Sequence, residues 1–457
     1  MRLRNHDFTQ RINSDLRIEF ARQDVTSYSG LELFRRYFRL IGLAGRIRRA
    51  FRRHRLSGDY SVVQVVLVFV ALWLTGGNRL RHVGFIGDDP LVKRMCGLQR
   101  LPSDRSLSRW LKQFANDSLQ ALVTLNSEIL IEKLRTLKLS RITLDFDGTV
   151  VSCGDQVGWA ARGYNPFERF SKSYYPFLCH IAQTGHFFQV RNRPGNHHDS
   201  KGGALSVMRQ SIDQIRSETG ARNIEVRLDS AFFMRDILAY LKRSGAEFAI
   251  KVPMWRWLKI KQIINGCRYW HHASPHLAWA KRTLTIDAWN LEVDCILYRQ
   301  KLSDKKTVGA HQLDLFSPDD GIYEYSVLVT NKTIDPARIL DFYNGRCAME
   351  HNIGELKGEF GFDCVPTNHY QANSAHQHLS VLAYNLTRNY QIDTHLAEKR
   401  GRTSRRTNLF SFESLKTIRF KLIAVAGRML KRNVLRISAG LARENLYAKI
   451  ERHLEAA

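Results

Sequence analysis

Residues 341 to 360, DFYNGRCAMEHNIGELKGEF, carry two stripes at helical spacing, and no other stretch restricts the fold as tightly. At about 100° per residue, Phe342, Met349, Ile353, Leu356 and Phe360 share one flank of a single helix. Tyr343, Arg346, Glu350 and Lys357 share the adjoining flank. A helix so patterned buries one side in a core and presents a carboxylate among two cations and a phenol on the other. A solvated helix with i,i+4 ion pairs is the plain alternative for this stretch alone. What decides between them is whether the rest of the chain brings partners to Glu350.

Two strands supply them. In RITLDFDGTV, Ile142, Leu144 and Phe146 fall on one face and Thr143, Asp145 and Asp147 on the other, with the strand stopping at Gly148. In IEVRLD, Ile224, Val226 and Leu228 oppose Arg227 and Asp229, so this strand also ends in an aspartate. Further strands are expected at 175–183, 186–192 and 247–252, with helices around 202–217 and 231–243. Two strand-end aspartates and a helical glutamate that converge concentrate negative charge, which divalent cations relieve. Hard oxygen ligands suit Mg²⁺ or Mn²⁺. Two such ions at roughly 3.5–4 Å activate a water or a 3′-hydroxyl and stabilise the leaving oxygen of a phosphodiester. On that reading Arg346 and Lys357 hold backbone phosphates, and Tyr343 bonds a phosphate or stacks on a base.

The charge agrees: 70 Lys+Arg against 43 Asp+Glu give +27 and a pI near 10.0, a field that favours a polyanion such as nucleic acid. The seven cysteines are scattered with no CxxC pair, which argues against a zinc ribbon or a disulfide framework. The N-terminus has no apolar signal segment, and the run Val62 to Leu74 is too short for a membrane span of about 20 residues. It reads as a buried helix in a cytoplasmic protein. Residues 1–138 read as a mostly helical DNA-binding or dimerisation region. It includes a basic helical stretch from Leu31 to His54 and a capped helix within 97–114, weakly helix-turn-helix in character. The first part of the catalytic core spans 139–252, and a Trp- and Tyr-rich β subdomain is inserted at 253–333. The Glu350 segment completes the core at 334–398, and 399–457 forms a basic linker and helical end.

The spacing Tyr343-x2-Arg346-x3-Glu350-x6-Lys357 resembles the Tyr-Arg-Glu-Lys signature of DDE transposases from bacterial insertion sequences. DFDGTV resembles the first Asp-x-Thr block of that family, matching Asp147 and Thr149, and RLDSAF resembles the second, matching Asp229. The GYNPF, RPGN and YSVLVTN stretches are similar to the insertion-sequence family numbered thirteen-eighty. The resemblance implies an α/β, RNase H-like core with an inserted β-rich subdomain, flanked by helical N- and C-terminal regions. It implies a metal-binding triad of Asp147, Asp229 and Glu350 with two Mg²⁺ or Mn²⁺ ions. It also implies cleavage at the element's terminal inverted repeats, transfer of the 3′-OH to target DNA, and a homodimer in the synaptic complex on the bacterial nucleoid. Asp145, on the same face as Asp147, is either a supporting carboxylate or itself the first ligand.

Two other classes compete. Asp145-x-Asp147-Gly148-Thr149 also looks like the first motif of haloacid-dehalogenase-type phosphatases, with Asp145 as nucleophile. The strands that follow look antiparallel rather than doubly wound, and the only later acidic pair, Asp319-Asp320, sits in a turn-like PDDG. A catalytically inactive DNA-binding relative is the other class. His197-His198-Asp199 reads as a solvated or phosphate-contacting loop rather than a metal site. Trp255, Trp257, Trp270, Trp279 and Trp289 read as core of the β subdomain, one of them a candidate to stack on a flipped base.

Overall fold

The computed structural model describes residues 24–54, 56–198, 203–301, 323–401 and 407–456. Its centre is a mixed sheet. In chain order its strands are β1 (Arg141–Gly148), β2 (Phe177–Ile181), β3 (His186–Arg191), β4 (Asn223–Leu228) and β5 (Glu247–Lys251). They continue as β6 (His271–Ser274), β7 (Leu277–Ile286), β8 (Leu291–Lys301) and β9 (Tyr323–Thr330). The order across the sheet is β6-β7-β8-β9-β5-β4-β1-β2-β3. β1, β4 and β5 run parallel, and every other neighbour pairs antiparallel. The segment expected as an inserted subdomain is therefore no separate layer. Leu328, Val329 and Thr330 of β9 pair with Lys251, Ile250 and Ala249 of β5, so the insertion extends the same sheet.

Among the described residues, 31–137 are mostly helical. The basic stretch from Leu31 to His54 forms two helices rather than one, α1 (Leu31–Leu40) and α2 (Leu43–Ala50), because Gly42 adopts a left-handed turn at φ 63°. The apolar run forms α3 (Val62–Leu74), started by a Ser61–Gln64 capping box and buried along most of its length. No helix among the described residues is long and apolar enough to cross a membrane. After α4 (Pro90–Cys96) come α5 (Asp104–Leu111), capped by Ser103, and the long α6 (Asn116–Leu137).

On one sheet face, α7 (Ala204–Thr219) and α8 (Arg235–Ser244) cover the apolar side of β1. Ile142, Leu144 and Phe146 share a core with Met208, Ile212, Leu238 and Leu241. The chain then forms α9 (Pro336–Asn344), α10 (Cys347–Phe360) and α11 (Tyr370–Asp393). α11 is buried on almost every side although half polar, and its side chains tie three regions together. Asn385 donates to Phe187 O of β3 at 2.7 Å and to Asn126 Oδ1 of α6 at 2.7 Å, while Ser380 donates to Phe360 O at the end of α10 at 2.8 Å. Gly361 ends α10 at φ 63°, where an added Cβ would lie 2.9 Å from Trp73 Nε1 and from Asn78 O. The helix therefore stops where α3 crowds its backbone.

The polar face of β1, which a simple alternation assigns to solvent, is buried as well. In register, Thr143 faces Glu225 and Asp145 faces Arg227 across the parallel β1–β4 pair. Thr143 Oγ1 donates to Glu225 at 2.5 Å, and Lys332 donates to the same carboxylate at 2.6 Å. Arg227 grips Asp145 with two bonds, Nε to Oδ1 at 2.6 Å and Nη2 to Oδ2 at 2.8 Å. Both residues are fully buried. Burial alone would raise the Asp145 carboxyl, but the Arg227 charge and the His180 and Arg227 hydrogen bonds hold it below its ordinary value.

Removing one partner of such a pair strands a buried charge. Asp145→Ala is expected to lower unfolding free energy by about 3–5 kcal/mol, whereas Asp147→Ala, at the partly exposed strand end, is expected to stay within about 1 kcal/mol of wild type. Urea denaturation of both variants checks this, and equal stabilities would contradict the assignment. Burial also depresses His186 to about 3 and His376 to about 4. The unfolded chain therefore binds more protons than the folded one below about pH 6.5. Stability should fall between pH 6.5 and 4 by up to about 1.4 kcal/mol per pH unit for each of the two histidines, and a flat denaturation midpoint across that window would count against their neutral burial.

Candidate active site

Residues 341–360 do not form one helix. α9 ends at Asn344, Gly345 and Arg346 form a joint, and α10 begins at Cys347. Both joint residues keep right-handed helical angles, yet the hydrogen bonds tighten to i−3. Arg346 N donates to Tyr343 O at 3.0 Å, Ala348 N to Gly345 O at 3.3 Å and Met349 N to Arg346 O at 2.9 Å. The joint lies against Arg227, which donates to Phe342 O at 2.7 Å. A Cβ on residue 345 would come within 2.4 Å of Arg227 Nη1, so a side chain there would have to displace the guanidinium from its bond to Phe342 O. The apolar stripe is as expected: Met349, Ile353, Leu356 and Phe360 are buried.

The break redistributes the polar flank. Tyr343 packs beside Ile296, Tyr298 and Leu328, and burial pushes its phenol well above its ordinary value. Arg346 turns inward and is 9% exposed at its side chain. Its Nη2 lies 3.2 Å from Asp147 Oδ2 and 3.3 Å from Asp229 Oδ2, and its Nη1 lies 3.0 Å from Glu350 Oε1. Burial opposes the Arg346 charge, but the Asp147 and Asp229 carboxylates outweigh it and raise the guanidinium above its ordinary value. The sequence expectation had Arg346 facing backbone phosphates; here the guanidinium is engaged by carboxylates.

The three carboxylates that the sequence singled out are thus brought to one spot. Asp147 and Asp229 continue by two residues the ladder of Thr143–Glu225 and Asp145–Arg227. They put two like charges where the earlier rungs pair favourably. Asp229 also caps the turn Ser230–Phe232 through Ala231 N at 3.0 Å, and Asp147 accepts from Gly148 N at 2.9 Å, which orients both. Glu350 is the most open of the three at 59% side-chain exposure, against 16% for Asp147 and 31% for Asp229. Three acids around one guanidinium leave a net charge of about −2. The oxygens gathered here are all carboxylate, a donor set that would fit Mg²⁺ or Mn²⁺. Among the described residues no three His, Cys, Asp or Glu side chains form a ready metal cluster, and Arg346 stands between these three.

Lys357 lies two turns beyond Glu350. Burial lowers its ammonium below the ordinary value, Asp363 opposes that shift, and Nζ donates to Val150 O at 2.7 Å. It thereby fastens α10 to the loop that leaves β1. Thr149 in that loop donates its backbone N–H to Pro176 O at 3.1 Å. Asp145 does not join the three acids. Its second neighbour is His180, whose Nδ1 lies 3.2 Å from Oδ2, while Nε2 lies 2.9 Å from Asn352 Nδ2 on α10. The amide can only donate there, so His180 is neutral with its proton on Nδ1, in keeping with a pKa lowered by burial.

Sequence reasoning did not single out Arg227, His180, Asn352 or Gly345. Two signals were visible: an arginine two residues before a strand-end aspartate, and a lone histidine inside the apolar strand FLCHI. His197 and His198 are in a loop, and Asp199 and Asp319-Asp320 lie outside the described residues. The tryptophans divide: Trp270 and Trp289 pack against the sheet core, and Trp279 stacks on His271. Trp255 and Trp257 stack at 5.5 Å beside a cavity that Ser230 also lines.

A search of curated proteins finds no match. Among solved structures the chain is similar to the piggyBac transposase in a synaptic complex with hairpin DNA, at 10% identity and a TM-score of 0.41, over 86% of this chain and 80% of that one. The family described as Transposase DDE domain group 1 matches residues 8–457, nearly the whole sequence. The chain belongs to the DDE transposase family.

Proposed function

We propose that this transposase mobilises a bacterial insertion sequence, cutting DNA at the element ends and joining the freed 3′-hydroxyl to target DNA. Asp147, Asp229 and Glu350 are the ligands of two Mg²⁺ or Mn²⁺ ions on this reading. The observation that carries it is the convergence of these three carboxylates, from the ends of β1 and β4 and the first turn of α10, on the Arg346 guanidinium. Bound there, the metal supplies activation of the attacking oxygen and stabilisation of the leaving one.

The chain's own residues do the rest. Two carboxylates sit on adjacent rigid strands, and the third sits on a helix held by Lys357 to the β1 loop. Arg346 balances their repulsion, and with metal bound its charge would be available to a phosphate. The order β3-β2-β1-β4-β5 with β2 antiparallel to β1 supports an RNase H-like core. The net charge of +27 supports a DNA partner and a place on the nucleoid in the bacterial cytoplasm. Two ends must be held together, which favours a homodimer by family analogy. The phosphatase alternative loses its nucleophile: Asp145 is fully buried with both oxygens bonded to Arg227. An inactive relative has no need to keep three carboxylates converged.

Asp147→Ala, Asp229→Ala and Glu350→Ala should each reduce Mg²⁺-dependent cleavage of a plasmid carrying the DNA that flanks the gene by on the order of 10³-fold or more. DNA binding should stay within about threefold. Full cleavage by any one variant removes that residue from the set. Lys357→Ala should lower strand-transfer yield by about tenfold while unfolding free energy drops by only about 1 kcal/mol, the scale of one hydrogen bond. An unchanged transfer yield, measured on the same plasmid, would leave Lys357 a purely structural tether.

A further inference from the structure

Beside the carboxylate site, a cleft of about 1080 Å³ opens between the N-terminal helices and the loop that leaves β1. One wall holds Arg79 and Arg81, from the turn after α3, and Arg105 and Arg109, from α5. The opposite wall holds Ser152 and Gly154, a few residues past Asp147, and the segment after α10 that begins at Asp363. The four arginines face two aspartates, Asp104 and Asp363, in the same lining.

All four arginines are exposed, and among the described residues none makes an ion pair or a side-chain hydrogen bond. Four guanidinium groups against only the two carboxylates of Asp104 and Asp363 leave the lining with an excess of about +2, which an anion would balance. Arg105 and Arg109 are one helical turn apart, with Cβ atoms about 5–6 Å from each other, so their planar forks can take neighbouring phosphates. His376 closes the floor, buried and with no partner at Nδ1 among the described residues. The cleft meets the active site at Lys357, which bonds Val150 two residues before Ser152 and lies within electrostatic reach of Asp363. A cleft this open, charged from two separate segments of chain, suits an extended polyanion better than a compact metabolite.

We propose that this cleft is a track for the phosphodiester backbone of duplex DNA leading to the carboxylate site, with Arg79, Arg81, Arg105 and Arg109 as sequence-independent phosphate contacts. The proposal rests on the DNA-cleaving reading of that site and assigns it a path of approach. Its contacts are to backbone, so they set affinity and register rather than base preference.

The test uses the full chain and fluorescein-labelled duplexes of about 40 base pairs, one random and one taken from the DNA flanking the gene, in anisotropy titrations from about 50 to 200 mM salt. Arg105→Ala/Arg109→Ala and Arg79→Ala/Arg81→Ala should each weaken binding to both duplexes by about tenfold or more. Each should flatten the slope of log affinity against log salt by about 2, near 0.9 for every phosphate no longer neutralised. Arg105→Lys/Arg109→Lys, which keeps the charge, should retain the wild-type slope. Thermal midpoints should match wild type, because these side chains are exposed. Unchanged slopes in both alanine pairs, with wild-type cleavage intact, would overturn the track and leave the proposed function standing. A drop in affinity confined to the flanking-DNA duplex would overturn backbone contact in favour of base reading. Failure of the wild type to cleave end-bearing DNA would overturn the functional reading itself.

Discussion

The arrangement depends on one fully buried carboxylate. Asp145 holds Arg227 with both oxygens and His180 with one of them, and each partner reaches on to a different helix. Arg227 continues to Phe342 O at the end of α9, and His180 continues to Asn352 on α10. The two helices that meet at Gly345 are thus both referred back to the central strand. Buried ion pairs gain little net stability over apolar packing of the same volume. What this one contributes is position, since a guanidinium fork and an imidazole fix direction as well as distance.

The parallel pair β1–β4 acts as a graded polar ladder. Its first rungs, Thr143–Glu225 and Asp145–Arg227, are complementary and closed. The continuation to Asp147 and Asp229 sets like charges together at the open end, and stability there depends on a cation brought from elsewhere in the chain. Arg346 is that cation, and the joint at Gly345 is what delivers it. A continuous helix would have kept Tyr343 on the same flank. The joint instead lets the phenol pack against Ile296 and Leu328 while the guanidinium turns toward the acids.

Much of this was legible in the residues. The alternation in RITLDFDGTV and IEVRLD located both central strands and their terminal aspartates, and the burial of Val62–Leu74 followed from its composition. The spacing within 341–360 located a helical segment but read as one helix what the structure divides into two. The joint was not legible, because what crowds a side chain there is an arginine far away in sequence. Nor was the burial of the polar face of β1, since alternation reports what one strand offers and not what another element lays over it. The sheet's extension through β9 was hidden for the same reason: strand pairing across a long insertion leaves no local mark. For Arg346 the residue type was readable but its aim was not, because a helical wheel assumes an unbroken axis.

The separation of the three carboxylates along the chain has a consequence for how such a protein comes into being. Asp147 leaves the ribosome long before Asp229, and the joint with its arginine emerges only after the whole of β5 to β9 has been made. Until then the two facing acids lack the Arg346 guanidinium, on a sheet whose far strands are still missing. Domains fold as units during synthesis, N-terminal parts first, but here no fragment ending before residue 346 can bring the three carboxylates to one guanidinium. A chain cut short before residue 346 would lack both Arg346 and Glu350, and with them the convergence of the three carboxylates. The convergence is complete only once residues 346–350 have been made.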